Sequence, residues 1–506
     1  MTRRRGRIAV VLLASAVIAW SGAGPGPVSA AGKQLIVSQA ADAVTLDPHM
    51  HSAQETLSIL LNVFDSLVDF TEKYEPVPNL AVSWKQVEPT VWRFSLRKGV
   101  TFHNGEAFNA RAVKFSVDRL LDPNQKAPMG TRLLAIKEAR VVDDYTVDII
   151  TKEPYAPVLY ILSLYLAMVP PDTVKQMGDT KFGLAGIGTG PYKVVKWVKD
   201  QELVLEANPK HWKGAPRIDR VIWKPIPEDS ARVAALQTAE VDIITSVPPD
   251  RWKDLQQGKG TRISAKTGTM LYIGLDTFNP PFNDVRVRRA MNHAVDVDTI
   301  ITKLLLGTAE RMNGPFFKTT LGYDKSVPLF KYDPALARKL LAEAGYANGF
   351  ETVISTYPAS EGTTNVMEVA ETVAYQLQQV GIRSRIEQLE RATGFDKYKN
   401  REFKVYFFTW PESPEPDRHL YSLFHSKARG YYYKNAEADR LLDLGRSTFD
   451  VNKRRMVYQQ LHKFIVDEAP WVFLYAQKTG FGVRQRVKWE APWDSFIRVV
   501  DADVAR

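Results

Sequence analysis

Two hydrophobic periods run through this chain. Across 91–97, Trp92, Phe94 and Leu96 alternate with Arg93, Ser95 and Arg97, the two-residue repeat of a half-buried strand. Tyr145, Val147 and Ile149 repeat the pattern. Ser52-Ala53-Gln54-Glu55 reads as a capping box, opening a helix whose Leu57, Leu60, Leu61, Phe64 and Leu67 share a face. Asn109 is placed to cap a second helix, which runs to Leu121 and stops at Asp122-Pro123. Beyond about residue 265 the order turns to strand, helix, strand. Asp333-Pro334 supplies an N-cap and a first-turn proline, and Gly345 ends that helix. A strand at 352–357, a helix at 366–380 stopped by Gly381, and a strand at 383–389 follow. Another strand, 405–410, ends in Pro411-Glu412-Ser413-Pro414-Glu415-Pro416. Helices are expected at 439–446 and 453–467, and returning strands around Tyr475 and in the final Trp/Val-rich stretch. The alternation predicts an α/β protein.

The first thirty residues follow a different logic. Arg3, Arg4, Arg5 and Arg7 precede an apolar run over 8–20, and Val28-Ser29-Ala30 offers a small-residue cleavage site. Thirteen helical residues reach only about 20 Å, too short to cross a bilayer. We therefore expect 1–30 to be a secretory signal peptide. Its removal takes four arginines and lowers the net charge from +10 to +6. The remaining charges are scattered rather than gathered in a stripe, so no nucleic-acid partner is expected. The chain has no cysteine, hence no lipid attachment site, and the expected address is free in the periplasm. At 506 residues it is long enough for more than one core.

Catalytic and cofactor signatures are weak. Gly186-Ile187-Gly188-Thr189-Gly190-Pro191-Tyr192 has neither the Lys-Ser/Thr ending of a phosphate loop nor a following helix, and reads as a tight connector. His49 with His51, and His419 with His425, lack the spacing of a zinc framework, so no metal and no cofactor is expected. No serine-nucleophile elbow or zinc-protease helix is present. Glu412 and Glu415 could imitate a glycosidase couple, but both sit in one loop. A secreted hydrolase is thus the distant alternative, and no enzyme is expected.

Several phrases in order carry a resemblance. They are Leu46-Asp47-Pro48, Asn79-Leu80-Ala81-Val82-Ser83-Trp84 and the run from Trp92 to Gly105 that ends Phe102-His103-Asn104-Gly105. Gly188-Thr189-Gly190-Pro191-Tyr192, the run from Asp284 to Ala290, the run from Ala294 to Asp298, and Asp467-Glu468-Ala469-Pro470 complete them. Together they resemble the extracytoplasmic solute-binding proteins of family 5, the dipeptide, oligopeptide and nickel receptors of ABC importers. One departure is Glu88-Pro89-Thr90 where an Asp-Gly turn is usual. The resemblance implies two α/β lobes around a ligand cleft, with an extra domain inserted in the first. Mapped here, lobe 1 is 32–66, 186–264 and 476–506, the insert 67–185, and lobe 2 265–475. It also implies a monomer that closes about a hinge on a peptide-like or cationic amine solute and delivers it to a permease. A nickel or metal-chelate receptor, or a haem receptor, on the same fold is the alternative.

Ligands of α/β sheets sit beyond the carboxyl ends of strands, where Glu412 and Glu361 both fall. By the resemblance, Glu412 pairs with a ligand ammonium, and Glu361 stands where dipeptide receptors carry a carboxylate-clamping arginine. Two acids in one cleft would favour a cationic solute. Trp410 is placed to stack on the ligand or to plug the core. His51 and Ser52, at the expected helix start, could receive a ligand oxygen.

Overall fold

The alternation at 91–97 forms the strand Val91–Leu96. It lies in a four-stranded antiparallel sheet, between Ala81–Glu88 and Thr146–Thr151, with Ile136–Asp143 beyond. Phe94, Val147 and Ile149 are buried against Val113 and Val117 of the helix Ala110–Leu121, in a core drawn from residues 67–168. The computed structural model describes residues 32–357, 363–428 and 432–505. The expected leader and Glu361 lie outside the described residues. Among the described residues, no helix is long and apolar enough to cross a membrane.

Local signals set most helix ends. The Asn109 side chain accepts from the backbone N–H of Arg111 at 3.0 Å and of Ala112 at 3.4 Å. Asn109→Ala should lower stability by about 1 kcal/mol, the usual worth of such a cap. An unchanged thermal transition would show that the cap contributes nothing. Asp333 accepts from Leu336 N–H at 2.9 Å, and Gly345 adopts a φ of +91° just past the helix Pro334–Glu343.

A second, larger sheet runs through both lobes. Its strand order is Ile382–Gln388, Phe350–Thr356, Val405–Pro411, Thr261–Leu275, Trp471–Arg484, Ile243–Ile244, Gln34–Gln39, Arg220–Pro225, Glu202–Ala207 and Tyr192–Val198. Thr261–Leu275 and Trp471–Arg484 pair antiparallel from Thr261–Arg484 to Gly274–Trp471. At one end of this ribbon Phe481 and Val483 join a core with Val37, Leu205 and Trp223. At the other, Leu271, Ile273 and Leu474 join a core with Val369, Val373 and Val405. The two lobes are thus strung on a pair of continuous strands.

The Gly186–Tyr192 segment is a connector pinned to the chain at 62–63. Gly190 N–H donates to Val63 O at 2.9 Å and Tyr192 N–H to Asn62 O at 3.1 Å. A Cβ at Gly188 or Gly190 would run into the Val63 carbonyl, so the approach requires glycine.

Two expectations need correction. The first helix is Gln54–Leu60, with Ala53 at its N-cap and no side-chain cap, so Ser52 does not form the capping box. The helix also stops before Phe64, because the chain turns through Asn62 and Val63 to meet the glycine connector. The final Trp/Val-rich stretch contributes only the short pair Val487–Lys488 and Asp503–Val504. Its backbone is satisfied elsewhere: the buried Asn62 amide donates to Ile497 O at 2.9 Å and accepts from Val499 N–H at 2.8 Å. A side chain there replaces the neighbouring strand that the apolar pattern suggested.

Candidate functional site

The long ribbon slips register between Thr267 and Thr269. A Cβ on Gly268 would collide with the Thr479 hydroxyl, which explains glycine at the slip. The Gly268 carbonyl accepts from Glu412 N–H at 2.6 Å, one residue past the end of the strand Val405–Pro411. The loop after that strand is thereby tied to the ribbon, and Glu412 faces a cleft.

The cleft holds about 910 Å³, counting the part open to solvent. Gln54, Glu55 and Ser58 line it from the helix Gln54–Leu60, and Thr245 and Ser246 from the end of a short strand. Gly268, Thr269, Pro411, Glu412 and Arg418 face them. Asp494, Ser495 and Phe496 enter from the irregular C-terminal stretch, and Tyr160 and Leu164 from the helix Val158–Tyr165.

Charge in this cleft is uneven. Glu412 is half-buried, and its carboxyl is pushed up to about 8. Burial is the main cause, reinforced by the charges of Glu310 and Asp494. A hydrogen bond donated by the Thr319 hydroxyl and the charge of Lys266 act in the opposite direction. Asp494 is paired with Arg498, which donates to it twice, at 2.8 and 2.7 Å. Glu55, in the first turn of its helix, is the other acid on the wall.

The remaining candidates distribute differently. Trp410 shares a strand face with Tyr406 and Phe408, packs on the core they form, and is not among the residues lining the cleft. His51 is buried, its imidazole pushed down to about 4 mainly by desolvation, while Ser52 is exposed; neither lines the cleft. Glu415 is buried and clasped by Arg454 at 2.9 and 2.5 Å, with the Tyr74 hydroxyl donating to it as well. It therefore cannot act as the second carboxylate of a hydrolytic couple. His49 contacts Ala167 O at 2.9 Å and His419 contacts Pro315 O at 3.0 Å, both as buried rings held by backbone. His425 accepts from Lys427 N–H at 3.0 Å. No metal-holding group of three or more His, Cys, Asp or Glu occurs among the described residues.

The family model of bacterial extracellular solute-binding proteins, family 5 (middle), matches residues 75–431. The chain belongs to this family. Its members are transport receptors rather than enzymes, and its two-lobed fold is the one described above. The chain is 28% identical over 464 residues to the glutathione-binding protein GsiB of Pectobacterium atrosepticum, covering 88% of this chain and 89% of that one. The periplasmic binding protein DppA of Helicobacter pylori, solved with the peptide STSA, is 27% identical with a TM-score of 0.77, over 94% of this chain and 98% of that one. HbpA2 of Haemophilus parasuis reaches a TM-score of 0.86 at 25% identity, over 94% and 100%.

Sequence reasoning missed Glu55 as a cleft acid because the capping box accounted for it. Arg418 and Asp494 were missed because nothing local marks them. Arg418 falls in an irregular helical turn, and Asp494 in a stretch that the apolar pattern assigned to a strand.

Proposed function

We propose that this chain is the periplasmic receptor of an ABC importer, working as a monomer, and that it takes a peptide-like solute whose amine docks on Glu412. The observation that carries this is the half-buried carboxylate of Glu412 at a strand end in the cleft, with its charged form disfavoured by burial. A ligand ammonium would supply the missing countercharge and restore ionisation. The relatives named for glutathione and for a bound peptide support the class of solute. The long ribbon joining the lobes is the natural hinge, its backbone continuous through Gly268. Residues 1–30 would direct export and be removed, and permease subunits would receive the closed form.

Native mass spectrometry of the purified protein tests this reading. A retained peptide or amine, released unchanged on unfolding, is expected. A retained haem, nickel chelate or sugar, or conversion of the solute to product, would overturn it.

A further inference from the structure

Arg418 occupies the same cleft as Glu412, on the turn Asp417–Tyr421. It is half-buried, and its Nε is fully shielded without a hydrogen-bond partner. The acids around it are already taken. Asp417 accepts from Arg446 at 2.9 and 3.2 Å and from the Tyr155 hydroxyl at 3.0 Å. Asp494 is held by Arg498. The Tyr160 hydroxyl is placed to accept a hydrogen bond from the guanidinium, and Tyr165 and the Arg498-paired Asp494 act on it from nearby. Among the described residues, no carboxylate forms an ion pair with Arg418. Buried guanidinium groups are ordinarily paired, and their planar fork suits a carboxylate.

We propose that Arg418 is the anion acceptor of the cleft, binding a carboxylate of the solute whose amine lies on Glu412. This rests on the peptide-type reading above and narrows it: the solute carries both charges, as a short peptide with free ends does. Arg418 follows Glu412 by six positions, so one short segment, the loop and the turn after it, would hold both ends of the recognition.

Three random tripeptide pools distinguish the possibilities, titrated calorimetrically against the intact mature protein: free-ended, C-terminally amidated and N-acetylated. The free-ended pool should bind at least about tenfold tighter than the amidated pool, a charge-assisted hydrogen bond's worth of discrimination. That gap should vanish in Arg418→Gln and be partly kept in Arg418→Lys. Equal binding of free-ended and amidated pools by the unsubstituted protein would overturn the role of Arg418 while leaving a peptide receptor intact. So would a gap that persists in Arg418→Gln. Tight binding of the N-acetylated pool would sink the Glu412 assignment alone, and the acid–amide gap would still support Arg418. Silence from all three pools at millimolar concentration would overturn both.

Discussion

Glu412→Gln should weaken binding of an amine-bearing solute by about 30-fold or more while the protein stays folded. Removing one partner of a desolvated charge pair commonly costs about 2 kcal/mol or above, and 1.4 kcal/mol is tenfold. Glutamine preserves the size and the hydrogen bond from Thr319, so the loss reports charge. The pH dependence gives a second reading. With the carboxyl pushed up to about 8, most molecules near pH 6 carry it protonated, and an ammonium ligand must shift that equilibrium. Affinity should therefore rise as pH increases from 6 towards 8, by at most about tenfold per unit. It should fall again above the ligand amine's own pKa, about 8 for a peptide. Stability of the unliganded protein carries the opposite sign. The folded pKa lies above the unfolded one, so this contribution is complete below about pH 4.5 and is lost as pH rises through about 8. Both slopes should disappear in Glu412→Gln. Flat binding between pH 6 and 8 in the unsubstituted protein would rule out Glu412 as the ammonium partner.

The second large effect is on the fold that presents this loop. Arg454 and Glu415 are both buried, and Tyr74 from another part of the chain completes the cluster. Arg454→Met should destabilise the protein by about 3–5 kcal/mol, because it strands a buried carboxylate. Arg454→Met combined with Glu415→Gln should recover a substantial part of the loss, since the penalty lies in the unpaired charge. Urea unfolding of the three proteins measures this. A single substitution costing under about 1 kcal/mol would show that water or relaxation satisfies Glu415. Glu415 is three residues from Glu412, so the single variant should also bind solute more weakly than the double.

How much could be read ahead depends on the range of each interaction. The strand Val91–Leu96, the cap at Asn109 and the Asp333-Pro334 start are encoded within a few residues, and they came out as read. Glu412 was legible because a strand ending in a proline-rich loop is itself a local pattern. Trp410 was ambiguous in the sequence, since a two-residue period says which neighbours share its face but not what covers that face. The fold answers with the core around Tyr406 and Phe408. Ser52 was misread because a capping signal describes what a residue can do, and the helix began one residue further on, with Ala53 at its N-cap.

The amino-acid order alone settles the alternating elements, the ordered family phrases and one acid poised at a strand end. Tertiary structure alone brings Glu55 and Asp494 to the same cleft as Glu412 and Arg418, from segments up to hundreds of residues apart. It also pairs Thr261–Leu275 with Trp471–Arg484 to join the lobes. The reason is physical. Periodicity records which side of an element avoids water, whereas the partner that covers it, and the charges left over once the others have paired, follow only from how the whole chain packs.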